Sequence, residues 1–243
     1  MENALLVGLS AQMALRRNME IISNNLANVS TSGFKREAPL FEELMVPLEA
    51  QDAPMTEVSF VRDWGVLRDM TAGPLQQTGD PLDVAVEGTG FLIVRTAEGE
   101  RYTRDGHFKL DAQRRIVTPD GDPVMSDGGE ITIPPNTNDI KIAQDGTVST
   151  AEGTVGRFRV VTFPPASMKK EGKNLYSADT SPQPASPNTR VLQGMIERSN
   201  VEPVVEMTKM IEVLRAYQHS TETLNATDDM IRRATQRLGE VKV

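Results

Sequence analysis

Cysteine is absent from all 243 residues, so neither a disulfide framework nor a thiolate metal site is open to this chain. Aromatic residues make up only 5% and apolar residues 38%, a supply that suits a thin or elongated core better than one thick globule. No run of eighteen apolar residues occurs, which excludes a membrane-spanning helix. The start of the chain lacks the charged-then-apolar pattern of a secretory leader, because Glu2 is acidic and Arg16 and Arg17 interrupt the apolar stripe behind it. A basic footprint is missing too. The net charge is −8, with +2 over residues 1–36 and −1 over residues 199–243, leaving −9 in the middle. An acidic middle argues against a nucleic-acid partner.

What is present is a chain whose two ends share one design. Residues 1–30 and 203–238 both read as long amphipathic helices with sparse, seven-spaced apolar stripes. In the first, Leu5, Leu15, Met19, Ile22, Leu26 and Val29 follow a 3.5-residue step. Gly8 and Gln12 hold weak positions of the same stripe, and Leu9 and Met13 flank it. In the last, Met210, Tyr217, Leu224, Ile231 and Leu238 recur every seven residues, and Met207, Ile211 and Leu214 thicken the N-terminal half. Further along, the intermediate positions become Thr221, Asp228 and Thr235. Such a seam makes a poor solitary coiled coil and suits a helix wedged among several others. At roughly 1.5 Å per residue the last helix would be about 54 Å long, too long for a compact β domain to cover. The stripes need partners, either each other or neighbouring copies, and the expectation is that they are buried only on assembly.

Between the ends the pattern changes. Residues 37–71, with Pro39, Pro47 and Pro54, read as a connecting arm with short pieces of structure. From Ala72 the chain becomes strand-like: Leu82, Val84 and Val86 alternate with polar or small residues, and Gly88-Thr89-Gly90 leads into Phe91-Leu92-Ile93-Val94. Asp105-Gly106, Asp120-Gly121, Asp127-Gly128 and Asp145-Gly146 mark expected turns. Pro182, Pro184 and Pro187 mark a loop before a last strand near Val191–Arg198. The expected fold is α+β: an N-terminal helix and motif over 1–36, the arm over 37–71, an antiparallel β domain over 72–198, and a C-terminal helix over 199–243.

Reactive constellations are scarce. His107 and His219 fall in different elements, and neither has an orienting partner at triad spacing. Asp228 and Asp229 are adjacent, so their side chains diverge on a helix. Asp80/Asp83 and Asp120/Asp122 lack calcium-loop spacing and are better explained as turn formers. Gly88-Thr89-Gly90 is no dinucleotide fingerprint, because Ile93 stands where the third glycine belongs. No catalytic residue, metal ligand or cofactor site is assigned, and no small-molecule substrate is expected.

The residues do carry a resemblance. Asn24-Asn25-Leu26-Ala27-Asn28-Val29-Ser30-Thr31-Ser32-Gly33-Phe34-Lys35 resembles the signature near the N-terminus of bacterial flagellar axial proteins, the rod, hook and hook-associated subunits. Asn24, Asn25, Ala27, Asn28, Thr31, Gly33 and Phe34 carry that motif. Gly73-Pro74-Leu75, Thr78 to Val86, Gly88 to Phe91, and Tyr102 to Phe108 resemble the β-domain opening of rod and hook subunits. Ser199-Asn200-Val201, Glu206-Met207, Met210-Ile211 and Arg215-Ala216-Tyr217 resemble the family's C-terminal helix. The matches run in order over most of the chain. Met1 to Leu5, the length, and Val204 to Met207 look most like the proximal-rod type, with the distal-rod type its near twin. Met125 and Ser126 stand where relatives often keep a small Gly-rich hairpin, which leaves the turn there open.

The resemblance implies terminal helices packed into a central tube with a β domain outside. It further implies other rod subunits and the flagellar type III export apparatus as partners, and export without a cleaved leader. The expected function is a structural subunit of the basal-body rod, transmitting torque from rotor to hook. Leu5, Leu9, Leu15, Met19, Ile22, Leu26, Val29, Met207, Met210, Ile211, Leu214, Tyr217, Leu224, Ile231 and Leu238 are its expected assembly residues. The alternatives are a distal-rod or short hook subunit and, in another class, a cell-wall-remodelling enzyme or a glycan-binding β module.

Overall fold

The computed structural model describes residues 2–48, 56–135, 137, 139–164 and 167–240. Two compact units emerge. One comprises residues 1–27, 37–69 and 202–243, the other residues 28–36 and 70–201.

The first unit is built from α1 (Glu2–Ala27), a long hairpin of β1 (Glu37–Leu48) and β2 (Thr56–Arg68), and α2 (Pro203–Glu240). The segment 37–71, expected as an irregular arm, is thus mostly one antiparallel ribbon. Its register runs from Glu37 opposite Arg68 to Leu48 opposite Thr56, with an irregularity between Leu40 and Phe41. Pro39 and Pro47 did not prevent this, since a two-stranded ribbon has two edges on which a missing N–H is tolerated; Pro54 lies outside the described residues. The hairpin's strands, 12 and 13 residues long, exceed the usual length.

α1 and α2 pack against each other in antiparallel fashion. Three contacts establish the register: Asn25 Nδ2 donates to Glu206 Oε2 at 3.0 Å, Gln12 Nε2 donates to Thr221 Oγ1 at 3.0 Å, and Gly8 lies directly under Leu224. A Cβ on Gly8 would stand 2.4 Å from Leu224 Cδ2, so glycine here is a hole for a leucine knob. The expectation that the stripes are buried only against neighbouring copies is therefore corrected: the Leu5–Leu26 seam of α1 closes on the Met210–Ile231 seam of α2 within one chain. The seam mixes apolar and polar layers, and the polar ones select a single register.

The second unit is antiparallel β throughout. A six-stranded sheet runs in the order 168–172, 175–178, 99–103, 91–96, 160–162, 183–184. A three-stranded sheet (141–142, 147–150, 153–157) and short two-stranded pairs complete it. The run Phe91-Leu92-Ile93-Val94 is apolar on both faces because both are covered. Leu92 and Val94 join one core with Val84, Phe108, Ile116, Ile131 and Val148, while Phe91 and Ile93 join another with Tyr102, Met168 and Tyr176.

The turns follow the Asp-Gly pairs in part. Gly121 and Gly146 have positive φ of 98° and 86°. Gly106 does not turn; it permits close approach, since a Cβ there would lie 1.6 Å from the Val84 carbonyl oxygen. A hairpin does form at Met125-Ser126, paired with Gly129-Glu130, and both Met125 and Ser126 are buried. The expected last strand is two short ones, Arg190–Gln193 and Met195–Glu197, broken at Gly194 with φ of 70°.

Candidate assembly interface

The motif that spans Asn24 to Lys35 builds two buried polar nodes, one in each unit. In the helical unit, Asn25 has no exposure. Its amide donates to the Glu37 carbonyl at 2.7 Å and to Glu206 at 3.0 Å, and its oxygen accepts from the Glu37 N–H at 2.9 Å. One side chain thereby joins the end of α1, the start of β1 and the first turn of α2. Glu206 sits where a helix N-terminus favours negative charge, and Lys209 donates to it at 3.1 Å. No aliphatic side chain offers this donor-acceptor pair, which is why asparagine stands here.

In the β unit, Lys35 is buried to 1% exposure along with Glu197. Lys35 Nζ donates to Glu197 Oε1 at 2.6 Å and to the Thr71 carbonyl at 2.7 Å. The same Glu197 accepts from the Gly73 N–H at 2.9 Å and from Arg104 Nη1 at 3.0 Å. Arg104 in turn caps the Val86 and Gly88 carbonyls at 2.8 and 2.6 Å. Burial pulls the Arg104 guanidinium below its ordinary value and the Glu197 carboxylate opposes this; arginine remains a cation.

Beside this node Gly33 has φ of 67° and donates to the Glu197 carbonyl at 2.8 Å. A Cβ there would lie 2.5 Å from Arg104 backbone carbon, so both conformation and space demand glycine. Phe34 is 1% exposed with Lys170 Nζ 4.1 Å from its ring centre. Asn200 accepts from the Arg36 N–H at 2.7 Å, and Asn174 donates to the Ser32 carbonyl at 3.0 Å. Within the motif itself, Thr31 donates to Asn28 Oδ1 at 3.1 Å. Asn24 and Ala27 instead border an open hollow shared with Met19 and Met210.

The expected assembly residues divide. Leu5, Leu15, Met19 and Leu26 are half-buried and Ile22 fully buried along α1, facing half-buried Met210, Tyr217, Leu224 and Ile231 of α2. Val29 is half-buried in the other unit. Leu9, Met207, Ile211 and Leu214 remain 45–52% exposed. The Leu238 side chain lies outside the described residues. Sequence reasoning missed Leu6, Val204, Trp64 and the hairpin residues Leu40, Phe41, Leu44, Met45 and Leu67, all exposed. The signal of the ribbon residues was hidden because an exposed apolar residue on a two-stranded ribbon looks like irregular chain, while Leu6 and Val204 lie off the seven-spaced stripes of α1 and α2. Of the large hydrophobic side chains exposed among the described residues, only Leu75 lies outside the helical unit. Patches of this kind mark interaction surfaces.

His107 does have a partner that its sequence position did not reveal. Its ring Nδ1 lies 2.7 Å from the buried Asp83 carboxylate, and its backbone N–H donates to Asp105 Oδ1 at 3.1 Å. Burial raises the Asp105 carboxyl above the ordinary range. His219 is on the exposed side of α2, 3.6 Å from Glu222. Among the described residues no group of three or more acidic or histidine side chains is placed to hold a metal, and no helix is long and apolar enough to cross a membrane.

A β unit with apolar cores of its own, and a helical unit that carries all but one of the exposed large hydrophobic side chains among the described residues, define the class of a structural building block. Comparison with known proteins agrees with that class. Residues 5–35 match the family described as flagella basal body rod protein, residues 85–150 the flagellar hook protein FlgE/F/G D1 domain, and residues 192–237 the flagellar basal body rod FlgEFG protein C-terminal region. The flagellar basal-body rod protein FlgF of Caulobacter vibrioides is 43% identical over 250 residues, covering 99% of this chain and 100% of that one. FlgG of Buchnera aphidicola from Acyrthosiphon pisum is 38% identical, covering 94% and 96%. FlgF of Salmonella typhimurium is 31% identical, covering 98% and 99%. The chain belongs to the flagellar basal-body rod protein family, and within it is FlgF-like.

Proposed function

We propose that this chain is a structural subunit of the proximal flagellar rod, working by packing rather than by chemistry, and that it is secreted through the flagellar export apparatus. The observation that carries the reading is the segregation of exposed apolar side chains to the helical unit. Each leucine-sized side chain covered by a neighbour contributes up to about 1.5–3 kcal/mol if it goes from exposed to buried. Half-exposed side chains give a fraction of that, so several together on each copy are needed to hold a shaft under torque. The expected assembly residues keep a double role in this reading. Those of the closed seam stiffen the helical pair, and Leu9, Met207, Ile211 and Leu214 meet neighbouring rod subunits. The β unit, with its own core, supplies lateral bulk.

The test is a deletion strain of the source bacterium complemented with the chain. Cells lacking it should be non-motile, with basal bodies that stop short of a full rod in electron micrographs. Complete rods and normal swimming in the deletion strain would refute the proposal.

A further inference from the structure

The first unit has two unlike apolar edges at one height. Asn25 touches both Glu37 and Glu206, so the hairpin and α2 start level with each other on α1. From that point both run back along α1. α2 meets it through Gly8, Gln12 and Asn25. The hairpin meets it through Arg17, whose guanidinium is ion-paired with Asp63 at 3.2 Å, beside a hollow lined by Ser10, Ala14 and Val61. At 3.6 residues per turn Gly8 and Gln12 lie on nearly the opposite side of α1 from Ser10, Ala14 and Arg17, while Asn25 lies toward the hairpin side and touches both neighbours.

At roughly 1.5 Å per helical residue and 3.4 Å per strand residue, Met207, Ile211 and Leu214 lie within about 12 Å of the Asn25 level, as do Leu40, Trp64 and Leu67. All six are exposed, Trp64 by 63% and Ile211 by 52%.

Resting on the rod reading, we infer that the exposed stripe of α2 in one copy packs on the Leu40, Trp64 and Leu67 patch of the hairpin in a second copy. The two patches differ, so the contact is head-to-tail and propagates around the shaft instead of closing as a dimer. Charge chooses the partner. Residues 37–69 carry a net −6, so two hairpins placed face to face repel. α2 over 203–240 carries only −1, with Arg215 following Leu214 in the stripe. Three side chains on each edge are far fewer than the roughly 20–30 residues a side of a stable complex. The contact therefore forms within the growing rod, and the dilute chain stays monomeric.

The chain has no cysteine and one tryptophan, which makes the contact directly readable. Leu67→Cys and Ile211→Cys variants would be co-expressed in the deletion strain, basal bodies isolated, mild oxidation applied, and chains resolved without reductant. The expected product is a species at twice 26.7 kDa that requires both variants together. Trp64 emission from purified chain at assembling concentration should also shift to the blue, and Ile211→Asp should abolish that shift. Three outcomes overturn the inference: a dimer from Leu67→Cys alone, a cross-link only to a chain of another mass, or intact rods with no mixed dimer. Absence of the chain from the basal bodies, read on the same gel, refutes the rod reading and the contact with it.

Discussion

Replacing Glu197 with alanine should unfold the β unit well before the rest of its core is challenged. The carboxylate is 1% exposed and lies between two cations, Lys35 at 2.6 Å and Arg104 at 3.0 Å, themselves 1% and 4% exposed. It also accepts from the Gly73 N–H. Alanine leaves two buried positive charges facing each other and one backbone donor without its partner. Breaking a buried pair in this way costs about 3–5 kcal/mol. For a unit of this size each kcal/mol moves the thermal midpoint by roughly 3–4 °C, so the expected drop is about 10–20 °C.

Glu197→Gln keeps an acceptor and removes the charge, so its loss should fall between wild type and alanine. Lys35→Met leaves Glu197 with Arg104 and Gly73, and should cost less, about 1–3 kcal/mol. Near-ultraviolet circular dichroism is the right probe, because Tyr102 and Tyr176 lie in this unit while Trp64 does not. A Glu197→Ala chain that melts within about 3 °C of wild type, or one more stable than Lys35→Met, would refute the argument.

Leu224→Asp should leave the β unit melting as in wild type while abolishing motility, since a carboxylate pressed onto Gly8 of α1 faces a desolvation cost of several kcal/mol; normal swimming would show that the seam is solvated in the rod. Asp105→Asn should stabilise the chain at neutral pH. The folded carboxyl is raised by burial, so its stability contribution is present below the unfolded value and lost as pH rises through the folded one. The mutant's advantage in melting temperature should vanish in acid, and an advantage unchanged by pH would count against it. Because Gly8 meets Leu224 and Gln12 meets Thr221, α1 begins level with about residue 230 of α2. The last turns of α2 therefore overhang, and amides after Ile231 should exchange hydrogen far faster than those of 206–224 in the monomer; equal protection would place another partner on that end. His219→Ala, at an exposed position on α2, should change stability by no more than about 0.5 kcal/mol and preserve swimming.

Much of the closed helical seam was legible beforehand because its signal is local. The seven-spaced residues from Met210 to Ile231 face one way on any α-helix, whatever they meet. Gly33 was legible as part of the motif, and its φ of 67° shows the backbone need that glycine meets there. The hairpin was not legible. Pro39 and Pro47 interrupt its pattern, and its strands gain their pairing only from each other. Lys35 and Glu197 were not legible as a pair either, since 162 residues separate them and a buried lysine and a solvated one look alike in sequence.

Periodicity, turn chemistry and the absence of cysteine were therefore enough to determine an α+β subunit with helical ends and an antiparallel middle, because each follows from a residue's own stereochemistry and its near neighbours. Which stripe is closed within the chain and which is left open was decided only in the tertiary structure. That choice depends on register. Asn25 holding Glu206, Gln12 bonding Thr221 and Gly8 receiving Leu224 bring one column of each helix together and leave Met207, Ile211 and Leu214 outside. Contacts that span some two hundred residues are selected by the fit of whole surfaces, which no window along the chain contains.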